Sequence, residues 1–328
     1  MKSDDAVFNF PEALPENCAI DCSDHYSSLS KLFTSLTANP YEQSLLFLQQ
    51  AAIASDSLPE PISERLHEFY LHGNEEGVIL LTNCPQEPGI TNIPTPQGPS
   101  DKQGFVSEAC LAIIAARLGQ IFGYVQIENG VLFQNIVPKP GMEREQSYTS
   151  SLVELHFHTE QHFHPHTPDY LMLYCLRSAV GAETVFASVR QLIKVLDQHY
   201  LDILFEPLYR TGIDYIFGNT NTEPGNGPIM SVLYGDHKDP FLRYCEDLMV
   251  VVTPEAQTAL KELRSAINKV TQSVCLSPGD LLVVDNRRVV HGRSPFTPLF
   301  NGKDRWLQRS KVIRKLEGDA GIEKILLY

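Results

Sequence analysis

From about residue 130 onward the chain is written in short apolar runs separated by turn residues, and this pattern narrows its fold most. The runs are GVLFQNIVP, SLVELHFHTE, DYLMLYCLR, TVFAS, IMSVLYG, LMVVV, DLLVVDN, RVVHGRS and RWLQRSKVI. Many short strands with turns between them pack as a sandwich or barrel. Two helical stretches interrupt them, near 188–199 and 254–269; the second has Thr253 as N-cap and Pro254 at its first helical position. Ahead of the strands the periodicity is helical, around 26–37, 41–55 and 60–71, after an irregular start over 1–25. NEEGVILLTNCP reads as a strand, and GFVSEACLAIIAARLGQIFGY, apolar almost all round, as a buried helix. The expectation is one α+β domain over 1–328, with a mostly helical part over 1–105 packed as a jacket on a sheet core from about 106. TNIPTPQGPSDKQG (91–104) reads as a long loop within that domain, not a linker.

A chain of 328 residues, 43% hydrophobic and 20% charged, has ample material for a core. Its net charge of -14 repels phosphate backbones, which argues against nucleic acid as a partner. No apolar run reaches the roughly 20 residues that span a bilayer. The acidic start MKSDDAVFNF lacks the layout of a signal peptide. The chain therefore reads as cytoplasmic, a monomer or homodimer acting on a small molecule. Its seven cysteines are odd in number and widely spread, as buried free thiols are. Cys18 and Cys22 have no second half-site with zinc spacing.

Five of the eleven histidines fall in LHFHTEQHFHPHTPDY, at positions 156, 158, 162, 164 and 166. On a strand His156, His158 and Glu160 share a face, a spacing that suits convergence on one metal ion. His162, His164 and His166 lie against Pro165 and Pro168, where regular structure breaks, and a histidine-rich loop is commonly just solvated. A third ligand must come from elsewhere. His291, at a strand end and followed by Gly292, has room beside it. Two histidines and one carboxylate form the facial set of non-haem Fe(II) oxygenases, which leaves three positions open.

FNGKDRWLQRSKVI contains an Asn-Gly pair, a hairpin signal that would fold the last strand back beside the one bearing His291. Alternation along RWLQR puts Arg305, Leu307 and Arg309 on one face. Two arginines on an inner face need anions; on an outer face they are merely solvated.

His158-Thr159-Glu160, His291 in VVHGRSPF and Arg305 in DRWLQR, 14 positions beyond His291, resemble the clavaminate-synthase-like branch of Fe(II)/2-oxoglutarate oxygenases. That branch includes hydroxylases of free arginine, asparagine and lysine. The likeness runs from about Gln134 to Lys311 and takes in HTEQHFHPHTPDYLMLYCLR, GAETVFAS and PGDLLVVDNRRVVHGRSPF; the first hundred residues match only as a vague helical preface. It implies a double-stranded β-helix, or jelly roll. It implies that His158, Glu160 and His291 bind Fe(II). Arg305, with Thr184 beside it, would take the distal carboxylate of 2-oxoglutarate, and Arg309 the substrate's α-carboxylate. The implied reaction uses O2 and converts 2-oxoglutarate to succinate and CO2 while a C–H bond is hydroxylated.

These roles agree with the chemistry of the side chains, since a guanidinium matches a carboxylate bidentately and keeps its charge. An L-α-amino acid with a polar or basic side chain, hydroxylated at C3, is the expected substrate. Glu160 would face its amine, with Gln134 as a second amine contact. Arginine-type relatives carry an aspartate where this chain has Cys245, and Asp247, two residues on and on the same strand face, is the remaining candidate for the distal end. The branch usually has a carboxylate where this chain has His156, so no ligand role is implied there. Other readings are a zinc hydrolase on the same ligands, a non-catalytic jelly-roll binding protein, desaturation or cyclisation by the same fold, and a carrier-bound substrate. The first leaves Arg305 and Arg309 unexplained and has no H-E-x-x-H helix; the second would keep all three ligands and Arg305 without use for them.

Overall fold

The computed structural model describes residues 14–90, 102–214, 217, 223–315 and 326–327. Most of the 91–104 loop thus lies outside the described residues.

The largest sheet has eight strands. In spatial order they are β1 (Ala19–Asp21), β2 (Val78–Thr82), β14 (Leu281–Asp285), β6 (Tyr170–Arg177), β16 (Trp306–Ile313), β3 (Gln120–Tyr124) and β17 (Leu326–Leu327), with β4 (Gln134–Ile136) also paired to β16. A second sheet has four strands, β13 (Gln272–Val274), β7 (Thr184–Ser188), β15 (Val289–Arg293) and β5 (Leu155–His158). Two small sheets complete the set: a hairpin of β10 (Leu233–Asp236) and β11 (Asp239–Leu242), and a ribbon of β8 (Tyr209–Arg210), β9 (Ile229–Met230) and β12 (Val250–Val251).

The two main sheets pack on a shared apolar layer. Leu171, Leu173, Leu282, Val284 and Leu307 from one meet Phe186 and Val289 from the other. The outer face of the large sheet is covered by α1 (Tyr26–Phe33), α2 (Ser44–Ser55), α3 (Glu60–His72) and α4 (Val106–Ala115). The outer face of the small sheet is covered by α5 (Val189–Leu192), α6 (Gln198–Phe205) and α7 (Pro254–Val270). Thr253 caps α7, its side chain accepting from the backbone N–H of Ala256. This is the helix-jacketed sandwich that the strand pattern implies. Strand β16 shows why: Trp306 and Val312 face the helices, while Leu307 faces the other sheet.

Several expectations are corrected. The apolar segment 104–124 is not one helix: α4 ends at Ala115 and β3 begins at Gln120. Gly119 makes the break at φ 153°, and a Cβ there would come within 2.3 Å of the Ile313 carbonyl oxygen. The 188–199 stretch is two short helices, α5 and the start of α6, the latter capped by Asp197. The Asn301-Gly302 pair lies in a turn but makes no hairpin with the strand of His291. β16 pairs with β6, β3 and β4, while both edges of β15 are taken by β5 and β7. The connection over 294–305 crosses from one sheet to the other. All seven cysteines are free thiols, but Cys275 is exposed and Cys245 half-buried. No helix among the described residues is long and apolar enough to cross a membrane.

Candidate metal and co-substrate site

Strand β5 ends on His158, and β15 places His291 directly opposite it in the ladder. The register shifts between His291 and Arg293, a bulge beside the site. Only glycine fits at position 292, because a Cβ would lie 2.4 Å from the Leu155 carbonyl oxygen. Glu160 is not on the strand, as simple alternation would have it. It lies two residues past the end of β5, ahead of Gln161 at φ 40°. Asn286 holds it there: the Glu160 N–H donates to Asn286 Oδ1 at 2.7 Å, and Asn286 Nδ2 donates to the carbonyls of Glu160 at 3.2 Å and Pro168 at 2.9 Å. Sequence reasoning missed Asn286, although it stands in the VVDN run next to a turn.

The three donors converge. Ligand atoms of His158, Glu160 and His291 all lie within 4.8 Å of one another. Glu160 Oε1 is 3.9 Å from His158 Nε2 and 3.6 Å from His291 Nε2. His158 donates from Nδ1 to the His156 carbonyl at 2.8 Å, which leaves the Nε2 lone pair facing the cluster. Burial, reinforced by His291, pushes the His158 imidazole down to about 4, so it is a neutral donor at pH 7. Burial works against ionised Glu160, but Arg309, His291 and Lys311 outweigh it and hold the carboxyl well below its usual range. A neutral imidazole at His158, a second imidazole at His291 and an ionised carboxylate, largely buried and converging on one face, fit a divalent cation. His291 Nδ1 is buried and has no hydrogen-bond partner among the described residues.

The remaining histidines separate. His162 is no solvated loop residue: it is buried, near Thr159 O and hydrogen-bonded through Nε2 to Thr211 Oγ1. His164 packs on the Tyr124 ring at 4.6 Å, and His166 lies beside it at 5.9 Å. His156 turns away to Asp247, with Nδ1 2.5 Å from Oδ1. Asp247 is not on a strand. Cys245 makes a single bridge to His158, and the chain then turns over 246–248, so Asp247 sits at the half-exposed rim.

Both arginines lie on the inner face. Arg309 donates to Gln134 Oε1 from Nε at 3.1 Å and Nη2 at 2.5 Å, and to Glu160 Oε1 from Nη1 at 2.8 Å. Gln134 faces it across the β4–β16 ladder and donates to Glu128 at 3.0 Å. Arg305 is buried with no carboxylate within ion-pair distance among the described residues, and burial pushes its guanidinium down to about 10. The Phe296 ring lies between Arg305 and Arg293, 5.9 and 5.0 Å from their Cζ atoms. Arg293 is spent on the 150–153 loop, donating to Val153 O at 2.7 Å and to Ser150. Thr184 is buried opposite Arg293 in the β7–β15 ladder. Sequence reasoning missed Lys311, buried two positions beyond Arg309; burial, with Arg309, pushes its ammonium down to about 7.

A profile of the taurine catabolism dioxygenase TauD, TfdA family matches residues 56–311. This chain belongs to that family. It is an Fe(II)/2-oxoglutarate-dependent dioxygenase. The oxygenase is 35% identical to clavaminate synthase 2 of Streptomyces clavuligerus over 304 residues, 92% of this chain and 93% of the relative. It is 34% identical to the L-lysine 3-hydroxylase of Catenulispora acidiphila over 297 residues, 89% of this chain and 82% of that one. Among solved structures, asparagine oxygenase with Fe(II), (2S,3S)-3-hydroxyasparagine and succinate superposes at TM-score 0.82 and 33% identity, covering 90% of this chain and 93% of that one. The non-haem iron oxygenase OrfP with Fe and α-ketoglutaric acid superposes at 0.85 and 27%, covering 94% and 100%.

Proposed function

We propose that this oxygenase hydroxylates a free L-α-amino acid with a polar side chain at C3. In this reading residues 1–328 form one domain around a double-stranded β-helix. His158, Glu160 and His291 hold Fe(II). Arg305, with Thr184 nearby, takes the distal carboxylate of 2-oxoglutarate. Arg309 takes the substrate's α-carboxylate, Glu160 and Gln134 its amine, and Asp247 stands at the distal rim. Relatives named as a 3-hydroxylase of lysine and an asparagine oxygenase holding a 3-hydroxy product support the class and the position. The seven cysteines, odd in number and widely spread, support a reducing, cytoplasmic setting.

The observation that carries the reading is Arg309 donating to Glu160 Oε1 at 2.8 Å. It couples a carboxylate-binding group to a metal-ligating one in a buried site. An amino acid bound by its amine and carboxylate at that pair has its β-carbon next in line to the metal position. Arg305, buried without an anion among the described residues, matches the far end of a dicarboxylic co-substrate. When bound, iron with 2-oxoglutarate and O2 supplies the oxidation: the co-substrate leaves as succinate and CO2, and one oxygen atom enters a C–H bond. The protein binds, orients and excludes water.

A screen of free proteinogenic and common non-proteinogenic amino acids, with iron, ascorbate and 2-oxoglutarate, tests this. The readouts are succinate and a mass gain of one oxygen. Reaction with carrier-bound or peptidyl substrates alone would overturn the free-amino-acid reading. Oxygen entering far from the β-carbon would overturn the position and leave the class.

A further inference from the structure

The inner face of β16 presents a cation that the roles above do not use. Arg305 stands just before the strand, and Arg309 and Lys311 follow on the same face, as residues two apart do. Arg309 is shared between Gln134 and Glu160. Lys311 is 6% exposed, and among the described residues it has no hydrogen bond or ion pair. The Tyr124 ring centre is 5.9 Å from its Nζ, and its charged neighbours are Arg309, Glu160 and Glu128. Glu128 Oε1 is already taken by Gln134 and the Tyr148 hydroxyl. A buried, unpaired ammonium is among the most costly groups a fold can carry.

We propose that Lys311 is a second cation for the substrate's α-carboxylate, beside Arg309, and that it makes the site select a free carboxylate over an amide, ester or thioester. This rests on the reading of the site as an amino-acid site. Amine and carboxylate are bonded to one carbon. With the amine at Glu160, the carboxylate falls among the cations flanking Glu160, which are Arg309 and Lys311. Arg309 is already shared between Gln134 and Glu160, which leaves Lys311 as the second cation there. Lys311 then gains the ion-pair partner it lacks among the described residues, in a buried position beside the Tyr124 ring where the pair is weakly screened. A carboxamide or thioester is neutral at that point and leaves the ammonium unpaired. A side-chain carboxylate is the other anion that could reach Lys311, and the test separates the two sources.

The experiment compares wild type, Lys311→Met and Lys311→Arg on L-asparagine, L-lysine, L-arginine, L-aspartate and L-glutamate and on their α-carboxamides. It records kcat and KM separately, anaerobic binding by calorimetry, and thermal unfolding. For each free acid that wild type accepts, Lys311→Met should raise KM and weaken binding by roughly tenfold to a hundredfold. The carboxamides and 2-oxoglutarate should be unaffected, and Lys311→Arg should restore most of the preference. Without ligands Lys311→Met should unfold at an equal or higher temperature, because it removes an unpaired buried charge. Equal weakening of acids and carboxamides would overturn the proposal, as would a change confined to acidic side chains with the acid-to-amide ratio intact. If wild type oxidised no free amino acid, the functional reading would fail first, seen as absence of product before any variant is made, and this assignment would fall with it.

Discussion

His158 and His291 stand directly opposite each other across the β5–β15 ladder, with ring centroids 4.5 Å apart. Two residues separated by more than a hundred positions are thereby fixed to one strand spacing, and Glu160 reaches both from the turn that Asn286 holds. His158→Ala, Glu160→Ala and His291→Ala should each abolish iron binding and turnover with the fold retained. His164→Ala and His166→Ala should keep most activity. Metal content after dialysis and succinate release check this; loss of iron in His164→Ala with retention in His158→Ala would reverse the assignment.

The two arginines should part company in binding. Arg305→Ala should weaken 2-oxoglutarate and Arg309→Ala the amino acid. Removing one partner of a buried charge pair costs roughly 2–5 kcal/mol, so each affinity should fall well over tenfold. Titration of each variant with each ligand decides it, and equal loss of both ligands in both variants would contradict separate roles.

Gly292 lies beside His291 of the candidate metal cluster, at the bulge in the β5–β15 ladder. Gly292→Ala puts a Cβ 2.4 Å from a backbone oxygen of β5, which must move. Overpacking of this kind costs roughly 1–3 kcal/mol. The variant should unfold at a lower temperature and bind iron less tightly, since the movement separates His291 from His158. Unchanged unfolding and unchanged iron affinity would show that the strands have slack here.

His162 predicts a pH dependence. Burial pushes its imidazole down to about 4, against about 6.5 in an unfolded chain. Between those values the unfolded chain binds a proton that the folded one does not. Its contribution to stability is therefore full above about pH 6.5 and is lost as pH falls toward 4, by at most on the order of 3 kcal/mol. His158 titrates in the same window, so the measured quantity is wild type minus His162→Gln, by denaturant unfolding from pH 4 to 7.5. A difference that does not change with pH would mean that His162 is not held neutral.

The sandwich and its jacket were legible because many short apolar runs are separated by turn residues and preceded by helical periodicity; buried on both faces, these strands still sort their side chains, as Trp306 and Leu307 do to opposite sides of β16. The convergence of His158, Glu160 and His291 was legible because these residues sit at a strand end, in a turn just beyond one, and on the strand paired with it. The failures lie where tertiary contacts override local pattern. Asn301-Gly302 signals a hairpin, but β15 has both edges occupied and β16 joins the other sheet. The helix over 104–124 stops because Gly119 must pass close to Ile313, 194 positions away, which no local window contains. The pairing of Asp247 with His156 and the isolation of Lys311 depend on which side chains meet across the sandwich, and spacing along one strand carries no such information.

Anaerobic addition of Fe(II) and then 2-oxoglutarate, followed by visible absorption, tests the central claim most directly. Wild type should develop a weak charge-transfer band that saturates at one iron and one 2-oxoglutarate per chain. Glu160→Ala should give none, and Arg305→Ala should need well over ten times more 2-oxoglutarate to reach it. A wild type that binds Fe(II) without the band, or an Arg305→Ala variant that saturates like wild type, would contradict the account.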